Sequence, residues 1–406
     1  MSIYEELSKR GLIAQITNEE KVKEILEKEK VYFYIGFDPT ADSLHVGHLT
    51  QLMIISRMQK AGHIPIILFG GATALVGDPS GKTDMRKMLS PEQINHNIDR
   101  FKQQAKRFVD FSDNKAIIVN NSDWLSDLNY IDFLREIGIN FSVNKMLAAE
   151  CYKQRLEKGL TFFELNYMIM QSYDFFTLNK KFGCKLELGG DDQWSNIISG
   201  VELIRKLSKK EAFGLTFKLL TTSEGKKMGK TEKGAIWIDP EKTSSYEFYQ
   251  YWRNINDNDV INCMNMLTFI PTDKIQEYSK VQGQELNKIK EILAFEITKI
   301  VHGESEAQKA LKTSRSLFEE NTSEKNMPQV TLPKELLENN TIGIIEILIK
   351  SNLAPSKSEA RRLISQGGIS VDNKKINDVN YLISEEQLNK SVIIKKGKKT
   401  FKRVSL

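Results

Sequence analysis

Cysteine is scarce in this chain. Three of them, Cys151, Cys184 and Cys263, are scattered through 406 residues with no CxxC pair. That pattern excludes a disulfide framework or a thiolate metal site and fits a reducing compartment. No apolar run approaches the roughly 20 residues that a membrane span requires, so no membrane partner is expected. The stretch Met1–Glu20 is amphipathic and carries acids early, which fits neither a secretory leader nor an acid-poor transit peptide. A cytoplasmic location is therefore expected. Two segments fall short of a Walker phosphate loop: Gly77 to Gly81 and Gly225 to Gly229 each enclose three residues where that loop needs four. His45 and His48 have no third His or Cys at ligand spacing nearby, so no protein-held metal is expected.

What remains is an ordinary globular composition, 40% hydrophobic and 27% charged. The length implies two or three domains. The formal charge of +5 is unevenly spread: residues 341–406 hold 13 Lys/Arg against 6 Asp/Glu, leaving the rest close to neutral. That basic tail is the part suited to nucleic acid, unless it only aids solubility.

The most informative stretch runs from Tyr32 to Leu49. Val31–Gly36 reads as a strand, Asp38-Pro39-Thr40 and Asp42-Ser43 as turn chemistry, and Leu44–Ala61 as a helix. A second strand, Ile64–Gly70, follows. Strand, helix and strand with a Gly-rich exit predict an α/β fold with a doubly wound parallel sheet, its ligand lying over the carboxyl ends of the strands. Ala116–Asn120 and Lys185–Leu188 add two more strands. A capping box, Thr161 with Glu164, opens a helix that is apolar on almost every side. Tyr167, Gln171 and Asp174 form a polar stripe along one face of it. Such a stripe either bonds other protein groups or lines a pocket, because an unpaired buried polar group costs about 1–3 kcal/mol.

Lys226-Lys227-Met228-Gly229-Lys230-Thr231, taken with His45-Val46-Gly47-His48, resembles the paired signatures of class I aminoacyl-tRNA synthetases. The resemblance extends along nearly the whole chain to the bacterial tyrosyl-tRNA synthetases. It implies a Rossmann-like catalytic domain at 1–220 with a helical dimerisation insertion at about 125–160. A helical domain at 221–320, a linker at 321–340 and an S4-like RNA-binding domain at 341–406 complete the chain.

The implied reaction is activation of L-tyrosine by ATP, then transfer to tRNA(Tyr), in a homodimer. Magnesium is implied with the ATP, without assigned protein ligands. By this resemblance Tyr34 and Asp174 hold the phenolic hydroxyl, and Tyr167 and Gln171 take the ammonium, with Asp78, Asn121 and Gln193 also around the amino acid. Gly36, Asp38, His48, Gly190, Asp192 and Lys230 bind ATP. Thr40, His45, His48, Lys82, Arg86, Lys227, Lys230 and Thr231 stabilise the reacting phosphates. Arg361, Arg362, Lys374 and Lys375 contact RNA. Ile35 and Glu187 depart from the family pattern: some members place a polar thiol near the ribose at the first position, and a glutamine is frequent near the amino-acid pocket at the second. Three rivals stay open: a tryptophanyl-tRNA synthetase, another nucleotidyltransferase, and a synthetase-derived RNA-binding or splicing factor.

Overall fold

Short runs of β-branched and aromatic residues, apolar on both faces, can only be satisfied in the middle of a sheet covered on both sides. Tyr32–Phe37 (β2) and Ile64–Phe69 (β3) are such runs, and every residue of β3 is buried. With Ile13–Ile16 (β1), Ile117–Asn120 (β4), Leu186–Gly190 (β5) and Phe213–Phe217 (β6) they form one six-stranded sheet. Its order is β1-β6-β5-β2-β3-β4, parallel throughout except for β1, which runs antiparallel to β6. The chain leaves β2 toward β3 and β4, then returns on the other side at β5. The topological switch point therefore falls between β2 and β5, where such sheets open a crevice for ligands. This computed structural model describes residues 1–80, 89–231, 234–316, 328–397 and 400–406, with Lys230 and Thr231 described by their backbone alone.

The helix predicted from Leu44 begins five residues later. Residues 38–45 are irregular, Val46–His48 make one 3₁₀ turn, and the α-helix spans Leu49–Lys60. The two imidazoles cause the delay by capping the turn themselves. The Gly47 N–H donates to His45 Nδ1 at 3.0 Å, and the His45 N–H donates to His48 Nδ1 at 3.2 Å. Any Cβ on Gly47 would lie 2.7 Å from the His45 ring, so only glycine fits between them. The capping box at Thr161 forms both ways but caps only a short turn, Phe162–Leu165. Asn166 then starts the long buried helix Tyr167–Phe182, which Gly183 ends in the left-handed conformation.

The described residues divide into two compact units, 1–243 with 248–304, and 305–406 with 244–247. The helical segment up to residue 304 therefore packs in the same unit as the sheet, which differs from the separate 221–320 domain expected. Phe248, Tyr249 and Trp252 are fully buried and serve packing. Two buried guanidiniums tie this segment back to the N-terminal half. Arg10 donates to the carbonyl of Ile270 at 2.8 Å, and Arg57 donates to the carbonyl of Thr268 and to Glu6.

In the second unit, a five-stranded sheet and the helices Ile344–Lys350 and Lys357–Ser365 enclose a core that includes Ile347, Leu348, Ile364, Ile369 and Ile394. Asp372 and Asn373, both at positive φ, form the turn expected of them. The unit starts earlier than 341: Gln329–Thr331 pairs in parallel with the last strand, so part of the expected linker is sheet. Residues 317–327, which include the first part of that linker, lie outside the described ones. No helix among the described residues is long and apolar enough to cross a membrane.

Arg57 is almost wholly buried, and Glu6 and a main-chain carbonyl depend on it. Arg57→Ala should lower stability by about 1–3 kcal/mol, the cost of losing charge-assisted hydrogen bonds to Glu6 and to the Thr268 carbonyl, both of which keep Arg10 as a second donor. Urea unfolding of the two proteins measures it.

Candidate active site

Strand β2 ends at Phe37, β5 at Gly190, and between their carboxyl ends lies a cleft of about 310 Å³. Tyr34, Gly36, Asp38, Thr40, His45, His48, Asp78, Tyr167, Gln171, Asp174, Gly190, Asp192, Gln193 and Lys227 all line it. Residues distant in sequence are thus gathered at the switch point. Asn121, expected around the amino acid, is fully buried and stands behind the cleft wall rather than among the residues that line it. Its Nδ2 donates to Asp174 Oδ2 and to Thr73 Oγ1, both at 3.0 Å, and its Oδ1 accepts from the Ala72 N–H. It holds a wall residue in place from behind. Lys82 and Arg86 lie outside the described residues. Ile35 is buried in the sheet and does not line the cleft.

The inner end is built of carboxylates and the groups that restrain them. Asp174 comes from the buried helix Tyr167–Phe182, and its second oxygen accepts from the Trp124 indole at 2.7 Å. Tyr34 on β2 donates its hydroxyl proton to Glu187 on β5 at 2.5 Å. Gln171 Nε2 donates to the same Glu187 oxygen at 2.9 Å. Asp38, just past β2, accepts from Tyr167 at 2.8 Å and from Thr73 at 2.9 Å. Gly70 makes room for that arrangement, since a Cβ there would lie 2.1 Å from Asp38 Oδ1. Asp78 accepts from Gln193 Nε2 at 2.8 Å. Trp124 and Thr73 thus belong to the site although motif reasoning assigned them no role, and so does Glu187, which the sequence marked only as a departure from the family pattern. An indole donor four residues beyond a strand end was the available signal for Trp124.

At the mouth, the histidine turn and the lysine loop are bonded together through their backbones. The Val46 N–H donates to the Ile236 carbonyl at 2.9 Å, the Ile236 N–H to Gly229 at 2.8 Å, and the Ile238 N–H to Leu44 at 3.0 Å. Lys230–Thr231 and Gly234–Ala235 form the small hairpin between them. Gly229 sits at φ +83°, where a Cβ would come within 2.9 Å of the Val46 side chain. Lys227 reaches Asp192 at 3.6 Å.

Desolvation dominates the electrostatics. Burial pushes the Asp174 carboxyl up to about 8, against the pull of the Asn121 and Trp124 donors. Burial likewise raises Glu187 to about 7, against the donors Gln171 and Tyr34. The Tyr34 phenol is driven well above its ordinary range, first by burial and then by the charges of Glu187 and Asp174. Asp192 is raised by burial and partly restored by Lys227.

A cleft at the switch point of a parallel sheet, with a His-x-Gly-His turn bonded to a lysine loop at its mouth, defines a class I aminoacyl-tRNA synthetase. Residues 26–319 match the family model for class I tRNA synthetases of the W and Y group, and residues 319–404 match the SYY-like C-terminal domain of tyrosine–tRNA ligase. The tyrosine–tRNA ligase of Acetivibrio thermocellus is 60% identical over all of this chain and 99% of its own length. Tyrosine–tRNA ligase 1 of Clostridium acetobutylicum is 57% identical over 99% of each chain. Among solved structures, a C-terminally truncated mitochondrial tyrosyl-tRNA synthetase of Aspergillus nidulans superimposes with a TM-score of 0.70 at 29% identity, covering 78% of this chain and 94% of that one. The chain belongs to the tyrosine–tRNA ligase family.

The raised carboxyls make stability depend on pH. In the unfolded chain both ionise near pH 4, whereas in the fold they keep their protons up to about 7 and about 8. Between those limits the folded state binds more protons, so stability falls as pH rises and the loss is complete above the folded values. The ligand-free protein should melt lower at about pH 9 than at about pH 6. An Asp174→Asn, Glu187→Gln variant should lose most of that difference. Equal slopes in thermal melts of the two proteins would refute the assignment.

Proposed function

We propose that this protein ligates L-tyrosine to tRNA(Tyr). Tyrosine and ATP, the latter taken up as its magnesium complex, give tyrosyl-adenylate and pyrophosphate, and the 3′-terminal adenosine of tRNA(Tyr) then accepts the tyrosyl group. The observation that carries this reading is one cleft with two chemically distinct ends. A hydroxyl-pairing inner wall contains Tyr34 and Asp174, and at the mouth the histidine turn meets the lysine loop. The rival tryptophan reading loses its ground, because the full-length relatives at 57–60% identity are tyrosine–tRNA ligases.

In the first step the tyrosine carboxylate attacks the α-phosphorus while the bond to the β-phosphate oxygen breaks. The substrate is its own nucleophile, so the protein's task is alignment and stabilisation of charge on the phosphoryl oxygens. Tyr34 and Asp174 take the phenol, while Tyr167, Gln171 and Asp78 surround the ammonium with Gln193 beside them. Gly36, Asp38, Gly190, Asp192 and His48 receive the adenosine. Thr40, His45, Lys82, Arg86, Lys227, Lys230 and Thr231 act on the phosphates. In the C-terminal unit Arg361, Arg362, Lys374 and Lys375 are exposed, as RNA contacts must be.

The enzyme works as a homodimer, supported by Tyr130, Ile131, Ile139, Val143, Phe162 and Phe163, large apolar side chains exposed in and just after the helical insertion. Its expected place is the cytoplasm, where charged tRNA is consumed.

Pyrophosphate exchange across all twenty amino acids tests the reading. Tyrosine alone should support rapid exchange, with phenylalanine weaker by about two orders of magnitude or more, hydroxyl-based rejection for which tyrosyl-tRNA synthetases are the familiar example. Lys230→Ala should slow adenylate formation about a hundredfold while tyrosine affinity stays within about twofold, since the loop serves the transition state. Exchange with tryptophan instead would overturn the assignment. Sedimentation should give two-chain particles, and Ile131→Asp with Phe162→Asp should weaken the dimer about a hundredfold or more.

A further inference from the structure

Tyr34 on β2 and Glu187 on β5 are register neighbours across the parallel pair at the switch point. Their side chains meet, and Glu187 Oε1 accepts both the Tyr34 hydroxyl at 2.5 Å and the Gln171 amide nitrogen at 2.9 Å. With two donors converging on that one oxygen, Glu187 Oε1 is the acceptor and sets the direction of both bonds, whether the carboxyl is ionised or holds a proton on its other oxygen. The one proton of Tyr34 is committed to the protein, which leaves only lone pairs on its oxygen for a ligand. Gln171 is fixed in one of its two amide orientations, because the reverse would set oxygen against oxygen. Its Oε1 is shielded from solvent and has no donor among the described residues, although Gln171 lines the cleft. Asp174, also in the wall, has each of its oxygens accepting from the protein, one from Asn121 and one from Trp124. Glu187 therefore decides the hydrogen-bond polarity of the inner cleft without having to bond the amino acid itself.

We propose that Glu187 is a positioning and specificity-determining residue that turns Tyr34 and Gln171 into acceptors, so that the cleft selects an amino acid bringing donors at both ends. Resting on the tyrosine reading above, this matches a phenolic O–H at one end and an ammonium at the other. Phenylalanine lacks the first donor and strands the acceptors prepared for it. The active feature of Glu187 is its acceptor oxygen rather than its charge, so an amide that keeps that oxygen in place suffices.

The test is pyrophosphate exchange with Glu187→Met, similar in size but without an acceptor, and Glu187→Gln, which retains one. Wild-type exchange with tyrosine is measured first; its absence defeats the tyrosine reading, whereas its presence with indifferent variants defeats only the role of Glu187. The Met variant should raise the KM for tyrosine about tenfold or more and narrow the tyrosine-to-phenylalanine ratio of kcat/KM by a similar factor. Its KM for ATP should stay within about twofold, a split that general loosening of the fold would not produce. The Gln variant should remain within about threefold of wild type in all three quantities. Should Glu187→Met alone fail to fold, Tyr34→Phe with Glu187→Met removes both partners together. That pair should still bind tyrosine about tenfold more weakly than Tyr34→Phe alone, because Gln171 is released. An unchanged tyrosine KM in the folded Met variant, a parallel rise in the KM for ATP, or a Gln variant as impaired as Met would each overturn the proposal.

Discussion

A carboxylate removed from water must be given donors or must keep its proton, and the inner cleft of this protein contains several such groups within one small volume. Asp38, Asp174 and Glu187 arrive from the end of β2, a buried helix and β5 respectively. Each is met by at least two donors, and those donors are supplied by Thr73, Asn121, Trp124, Tyr34, Tyr167 and Gln171. Much of the local architecture follows from that need. Gly70 lacks a side chain because Asp38 occupies the space, and Asn121 is buried behind the wall because Asp174 requires it there.

The sheet explains why such a concentration of polar groups arises at one place. At the switch point the chain departs from β2 in one direction and comes back at β5 from the other, so the loops after these strands diverge and leave a gap. Residues just past the ends of β2 and β5, such as Asp38 and Asp192, then face the same gap. The backbone ladder from Leu44 to Ile238 and from Gly229 to Ile236 brings the lysine loop onto the histidine turn across a separation of nearly two hundred residues. Those bonds use main-chain groups alone, so the joining of the two segments does not depend on which side chains they carry.

The core strands were legible because their periodicity is unambiguous: β2, β3, β4 and β5 fall within one or two residues of the expected positions. β1 was not, since four residues of edge strand between two amphipathic helices carry little pattern. The helix start at Leu49 was hidden for another reason. Two histidines that cap a turn through their rings look, as letters, like the first turn of a helix. In the site, the polar stripe Tyr167, Gln171 and Asp174 stood out against an apolar helix, and all three line the cleft. Asn121 and Glu187 could not be placed by spacing, because their roles depend on partners about fifty and a hundred and fifty residues away.

Shielding of acceptors has a further consequence for how the cleft discriminates. A ligand that brings donors restores hydrogen bonds that the empty cleft lacks, as at the shielded Gln171 oxygen, and gains from doing so. A ligand that brings none displaces water from the same acceptors and offers nothing in return. The same desolvation that raises Asp174 and Glu187 toward neutrality in the empty protein therefore widens the gap between right and wrong amino acids. Selectivity and the stability lost on rising pH are two effects of one placement of acceptors in a dry pocket.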